Sequence, residues 1–158
     1  MQKIIPFLWF DGKAYEAAQF YTSIFSNSRI TSTIPDPGEK LLTVTFELNG
    51  QEFIALNGGP VFSFTEAISF FISCDSQEEI DEKWEKLTAD GGKEGVSGWL
   101  TDKYGISWQI IPPVVAKMLS DKDTAKAERV MEAMLMMNKI IIADLLAVYE
   151  AEPVTSAL

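Results

Sequence analysis

An α+β fold of two tandem β-α-β-β-β modules followed by a helical tail is predicted for this chain of 158 residues on three observations. The order of strand-like and helix-like segments in residues 1–60 recurs in 66–113. Each half carries a hairpin signal, Asn49-Gly50 and then Tyr104-Gly105, and beyond Pro113 the pattern turns helical, over 114–152. Together these parts are read as a single domain, 1–158.

The elements follow in order. Ile4 to Phe10 is wholly apolar and reads as a buried strand, with Asp11-Gly12 as a turn or helix cap. From Ala14 to Phe25, Ala17, Phe20, Tyr21, Ile24 and Phe25 recur at helical spacing opposite Lys13, Glu16 and Gln19. Arg29 to Ile34 is β-branched, and Pro35-Asp36-Pro37-Gly38 breaks it. Leu41 to Leu48 alternates apolar with polar, Asn49-Gly50 turns the chain, and Gln51 to Leu56 returns until Asn57-Gly58-Gly59-Pro60. The second half starts with the strand Ala67 to Cys74 and an Asp75 cap. A helix carrying Ile80, Trp84 and Leu87 on one face follows, stopped by Asp90-Gly91-Gly92. Its first return strand is short or absent, and the hairpin Trp99 to Lys103, Ile106 to Ile111 closes at Pro112-Pro113. The tail comprises Val114 to Leu119, a Ser120-Asp121 cap, Thr124 to Met137 and Ile140 to Tyr149, with a frayed end over 150–158.

Superposing the halves places Ile4 on Ile68, Phe7 on Phe71, Leu8 on Ile72, Asp11 on Asp75 and Phe20 on Trp84. In the hairpins Gly50 falls on Gly105, Phe53 on Trp108 and Leu56 on Ile111. Like residues at strand, cap, helix and turn point to a duplicated module.

Composition narrows the function classes. Thirteen Lys and Arg against 23 Asp and Glu give a net charge of -10, a field that repels phosphate backbones and anionic headgroups, so neither nucleic acid nor membrane is an expected partner. The single cysteine, Cys74, sits in an apolar run and reads as a small buried hydrophobe. With no signal-peptide pattern at the N-terminus, a cytoplasmic setting is expected. The chain holds no histidine, which removes the commonest general base and neutral metal ligand.

Several segments resemble the PhnB-like family of the vicinal-oxygen-chelate (glyoxalase/bleomycin-resistance) superfamily, whose members often carry the name 3-demethylubiquinone-9 3-methyltransferase. They are Ile5-Pro6-Phe7-Leu8-Trp9-Phe10-Asp11-Gly12, Glu16-Ala17-Ala18-Gln19-Phe20-Tyr21, Phe53 to Pro60, Glu66-Ala67-Ile68-Ser69-Phe70, Tyr104 to Gln109 and Ala127-Glu128-Arg129-Val130-Met131. The resemblance implies curved mixed sheets enclosing a ligand cavity and, in metal-dependent relatives, His and Glu ligands on the first and last strands of each module. Counting back from the Asp caps gives Ile4 and Ile68 as the first-strand positions, and counting from the hairpin glycines gives Ile54 and Gln109 as the last-strand ones. Many relatives have a histidine where Val61 stands. Three isoleucines and a glutamine hold no divalent ion, so neither metal nor other cofactor is expected. The methyltransferase name finds no Gly-rich strand-to-helix nucleotide turn, since Asn57-Gly58-Gly59-Pro60 leads into no convincing helix.

By strand parity from those positions, Leu8, Phe10, Thr43, Thr45, Ile54, Leu56, Phe70, Leu100 and Gln109 are the expected cavity lining. Phe46, Phe53 and Trp108 point to the helices. Such a lining suits a small hydrophobic or mixed-polarity ligand and equally a filled core. Gln109 is the most informative position, because a buried amide needs partners. Three carboxylates are candidates for acid/base work, Glu47 and Glu52 across the hairpin and Glu66 before the second module, each with a solvated alternative. Three functions stay open: a metal-independent small-molecule binding protein, a metal-free enzyme using one of those carboxylates, and an interaction module with a filled cavity. A homodimer is expected, with the Met-rich tail supplying surface.

Overall fold

The computed structural model describes residues 4–38 and 41–151. The frayed end expected beyond Ala151 and the tip of the loop before Leu41 lie outside those residues. The chain divides into two compact units, Met1–Phe64 and Thr65–Leu158.

Unit one runs β1 (Phe7–Phe10), α1 (Ala14–Ile24), β2 (Arg29–Pro35), β3 (Leu41–Leu48) and β4 (Gln51–Asn57), in the sheet order β1-β4-β3-β2. β1 lies parallel to β4, and the other pairs are antiparallel. Asn49 (φ 46°) and Gly50 (φ 83°) form the two-residue turn that Asn-Gly favours, because both positions need left-handed backbone. That turn fixes the β3–β4 register with Phe46 opposite Phe53 and Thr45 opposite Ile54. The buried side of the sheet carries Leu8, Phe10, Val44, Phe46, Phe53 and Ala55. α1 covers this side, its Tyr21 ring stacking on Phe46, which stacks in turn on Phe53. The cap expected at Asp11 is absent: the N-cap is Lys13, and Asn57 Oδ1 accepts from Ala14 N at 2.8 Å, so β4 supplies the cap from across the unit.

Unit two repeats this plan with β5 (Ser69–Ser73), α2 (Gln77–Thr88), β6 (Lys93–Glu94), β7 (Trp99–Thr101) and β8 (Ser107–Ile111), ordered β5-β8-β7-β6. The short first return strand is β6, of two residues. Ser76, not Asp75, caps α2: its side chain accepts from Glu79 N, while Glu79 Oε2 accepts from Asp75 N at 2.9 Å. This is a capping-box arrangement shifted by one residue. Ile80, Trp84 and Leu87 are the buried face of α2, as their spacing predicts.

α3 (Pro113–Leu119), α4 (Thr124–Leu135) and α5 (Ile142–Glu150) build a small core of their own from Val115, Met118, Val130, Met134, Ile140 and Leu145. Val130 and Met134 are thus absorbed within the tail, while Met131 and Leu135 of the same methionine-rich run stay exposed. Of Asp121 and Asp123, both of which fit helix capping in the sequence, Asp123 is the one that caps α4, its side chain accepting from Ala125 N and Lys126 N. Hydrogen bonds tie the tail to the sheet module. Ser97 N and Gly98 N donate to the carbonyls of Met137 and Asn138, both at 2.7 Å, and Gln77 bonds Ile140 O and Ile142 N with its side-chain amide.

Cys74 is fully buried, and burial pushes its thiol up to about 11; nearby Lys83 pulls the other way, and Glu79 and Asp75 add to the rise. Only the thiolate reacts, so at pH 8 the reactive fraction is roughly a hundredfold below that of an ordinary thiol, before burial restricts access. Modification by a disulfide reagent is expected to be undetectable on the minute scale in buffer and complete in denaturant. Rapid labelling of the native protein would contradict the burial.

Candidate functional site

Each sheet has one face turned away from its helix, and the registers fix which residues share it. In unit one β1 aligns Phe7 with Ile54 and Trp9 with Leu56, and β3 aligns Thr45 with Ile54 and Thr43 with Leu56. Thr43, Thr45, Ile54 and Leu56 therefore share the helix-free face, joined by Phe7 and Trp9. Leu8 and Phe10 do not. Leu8 is opposite Ala55, and both residues are buried on the α1 side, so the expectation that they line a cavity with Ile54 is corrected.

The cause is the placement of the first strand. β1 begins at Phe7, and Ile4, 89% exposed, lies before it. The position beside Ile54 is Phe7, so parity counted from Ile4 selects the wrong face. The same holds in unit two, where β5 begins at Ser69, Ile68 is 74% exposed, and the neighbour of Gln109 is Phe71. Phe70 aligns with Trp108, their rings 5.3 Å apart, and belongs with Ile72 to the helix side. Leu100 is likewise corrected. It pairs with Trp108, while Trp99 stands opposite Gln109, because residues 102–106 form a five-residue loop.

The two sheets repeat the same constellation. Phe7, Ile54 and Thr45 in unit one correspond to Phe71, Gln109 and Trp99 in unit two. Phe7 is 57% exposed and Phe71 61%. None of the four first-strand and last-strand positions, Phe7, Ile54, Phe71 and Gln109, offers an imidazole, thiolate or carboxylate. Among the described residues no three His, Cys, Asp or Glu side chains gather as a metal site. In neither unit does this pair of positions fit a divalent ion.

In unit one the segment after β4 packs against Trp9, whose indole N–H donates to Gly59 O at 2.8 Å and whose ring meets Phe62 edge-on at 5.0 Å. A Cβ on Gly58 would lie 2.3 Å from that indole. The glycines of Asn57-Gly58-Gly59-Pro60 thus seat an aromatic ring, and Asn57 caps α1.

In unit two Gln109 Nε2 donates to Ser69 Oγ at 2.8 Å, so the amide is anchored by the neighbouring strand. Ser107, in register with Ser69 and Thr101, is 2% exposed, and its Oγ has no hydrogen-bond partner among the described residues. Buried hydroxyls are normally paired. On the other side, Asp102 is buried and accepts from Tyr104 N, Ile106 N and the Trp108 indole at 2.8, 3.1 and 2.8 Å. Sequence reading passed over both residues. Asp102-Lys103-Tyr104-Gly105 carries the signal of an Asx turn, in which an aspartate accepts from the amide two residues on; nothing in the sequence marks Ser107.

Glu47 and Glu52 are opposite each other across the hairpin, as their spacing predicts, and Glu47 pairs with Arg29 at 3.1 Å. Glu66 is exposed in the turn before β5.

Two β-α-β-β-β units, each a four-stranded mixed sheet with one helix-free face, define the fold of the vicinal-oxygen-chelate superfamily. A family model described as 3-demethylubiquinone-9 3-methyltransferase matches residues 2–111, and the chain belongs to that PhnB-like family. A solved structure from Bacillus cereus, a putative 3-demethylubiquinone-9 3-methyltransferase called PhnB protein, is 41% identical with a TM-score of 0.66, covering 70% of this chain and 99% of its own. Protein PA1353 of Pseudomonas aeruginosa is similar in fold at 18% identity, with a TM-score of 0.57 and coverage of 71% and 98%. So is FosX, a fosfomycin resistance protein of Listeria monocytogenes complexed with Mn(II) and sulfate, at 20% identity, with a TM-score of 0.51 and coverage of 70% and 92%. No curated protein matches the chain. Among the described residues no helix is long and apolar enough to cross a membrane.

Proposed function

We propose that the protein is a metal-independent small-molecule binding protein that uses the helix-free sheet faces. The observation that carries this reading is that the strand positions facing away from the helix, Phe7 and Ile54 in unit one and Phe71 and Gln109 in unit two, carry no imidazole, thiolate or carboxylate. Partly exposed aromatics and a few neutral polar groups are the usual lining of a small-molecule site. A homodimer in the cytoplasm belongs to the same reading. Methyl transfer, the activity in the family's description, calls for a site for the methyl donor. The Gly58-Gly59 segment is occupied by Trp9, and the next helix, α2, begins only at Gln77.

A thermal-shift screen of metabolite-sized compounds tests the proposal. At a concentration a hundred times its Kd, a ligand adds about 2.7 kcal/mol of stability, a shift of several degrees. Stabilisation is expected to be the same with and without EDTA. Shifts that vanish with chelator and return with Mn(II) would refute metal independence.

A further inference from the structure

The strap between α4 and α5, residues 136–141, lies beyond residues 2–111, which the family model matches, and it docks on the second sheet module. Two carboxylates of that module each join α2 to the strap. Asp81 Oδ1 accepts from Gln77 Nε2 at 3.0 Å and pairs with Lys139 Nζ at 2.6 Å. Glu94 Oε1 accepts from the Trp84 indole at 2.7 Å, and its Oε2 accepts from Asn138 Nδ2 at 3.3 Å. An exposed ion pair alone is worth little. These carboxylates do more, because the side chains they hold carry backbone contacts. The Gln77 amide also donates to Ile140 O at 3.1 Å and accepts from Ile142 N at 2.9 Å, capping α5 where its N-cap, Ile141, has no polar side chain. Asn138 presents the carbonyl that accepts from Gly98 N.

We infer that residues 136–141 form an acid-released latch: at neutral pH Asp81 and Glu94 clamp the tail to the second sheet module, and protonating them frees the strap while both sheets stay folded. The tail has an apolar core of its own, so letting go of the sheet does not unfold it. Both carboxylates are held in the charged form. Hydrogen bonds from Lys139 and then Gln77 lower the pKa of Asp81, and bonds from Trp84 and then Asn138 lower that of Glu94, with burial opposing in each case. Lys139 is also the positive charge that acts on the two together. A lowered carboxylate contributes its stabilisation above its unfolded pKa, about 4, and loses it as pH falls through the folded value. The latch needs no ligand and is independent of the binding function proposed above.

Amide exchange and proton NMR of the full-length protein between pH 7 and pH 3 test this, with exchange expressed as protection relative to the unfolded chain. Protection of Ser97 and Gly98 is expected to fall roughly tenfold, the worth of one net hydrogen bond, together with loss of the bonded Trp84 indole signal, below about pH 4. Amides shared by β3 and β4 and by β7 and β8 should stay protected. The double variant Asp81→Asn, Glu94→Gln is expected to show the loss already at pH 7 and no further transition. Lys139→Gln, which keeps both carboxylates but removes their shared cation, should move the transition to higher pH. Glu82→Gln is the control, because Glu82 pairs with Lys86 of its own helix, and it should leave the transition where it is. Protection at Ser97 and Gly98 that survives to pH 3, that disappears only with the sheets, or that keeps the parent's pH dependence in the double variant would each overturn the inference. Should the double variant fail to fold, an unmoved transition in Lys139→Gln overturns it alone.

Discussion

Replacing Asp102 by Ala is expected to cost about 3–5 kcal/mol, among the largest single losses available in the chain. The side chain is buried, and one carboxylate satisfies the Tyr104 and Ile106 amides and the Trp108 indole. Truncation leaves those donors in a site where each unpaired one costs roughly 1–3 kcal/mol. Asp102→Asn keeps an acceptor for the two amides but loses the charge and sets an NH2 group or a neutral carbonyl against the indole, so about half the loss is expected. Urea unfolding with the slope held constant measures both, and an upfield shift of the Trp108 indole proton reports the broken bond. A loss below about 1 kcal/mol for the Ala variant would show that solvent reaches the turn and replaces the carboxylate.

Gly98→Ala is expected to be comparably severe for a different reason. Gly98 has φ +83°, and a Cβ there would sit 2.6 Å from Ile111 Cδ1, 2.8 Å from Ile110 O and 3.1 Å from Ile140 Cγ1. Left-handed backbone costs a residue with a Cβ about 1–2 kcal/mol, and the forced contacts add about 1–3 kcal/mol. Gly59→Ala is the control: its φ is +86° but nothing lies within 4 Å, so only the backbone part should appear. The gap between the two variants in thermal melts isolates the forced contacts with β8 and Ile140. Amide exchange at Ser97 and Gly98 should accelerate in Gly98→Ala, because their acceptors are Met137 O and Asn138 O. Equal losses for the two variants would mean that β8 and Ile140 yield freely at this point.

Those sites also show what the sequence could and could not disclose. β3 alternates apolar with polar residues and the two-residue Asn-Gly turn carries its register onto β4, so the shared face of Thr43, Thr45, Ile54 and Leu56 is legible in the sequence. β1 reads Phe-Leu-Trp-Phe, and the centre of β5 reads Phe-Phe-Ile. A run apolar on both faces has no period-two signal, so parity had to be borrowed from the Asp caps. Neither Asp turned out to be the cap, and the borrowed parity carried Leu8, Phe10 and Phe70 to the wrong side. Leu100 moved because loop length sets hairpin register, and Tyr104-Gly105 does not state that five residues form the loop. The repeat survived all of this, because matching residue to residue depends on the order of elements rather than on which way they face. Gln109 kept its face for the same reason: it was anchored to the hairpin, not to a cap.

The bonds between the tail and the sheet of unit two bear on the order in which the chain is made. Unit one closes all its strand pairs within residues 7–57 and can complete them while the rest is still being synthesised. Unit two can pair its strands once β8 is made, but its bonds to the tail must wait. Gln77 must wait 63 and 65 residues for its partners at Ile140 and Ile142, and Ser97 and Gly98 wait about forty for theirs. During that interval the N-terminal end of α2 and the segment before β7 lack their bonds to the tail, although Ile110 N already donates to Gly98 O. A ribosome stalled near residue 120 should therefore carry a finished first unit beside a protease-sensitive second one, with resistance arriving only once the last helix is free.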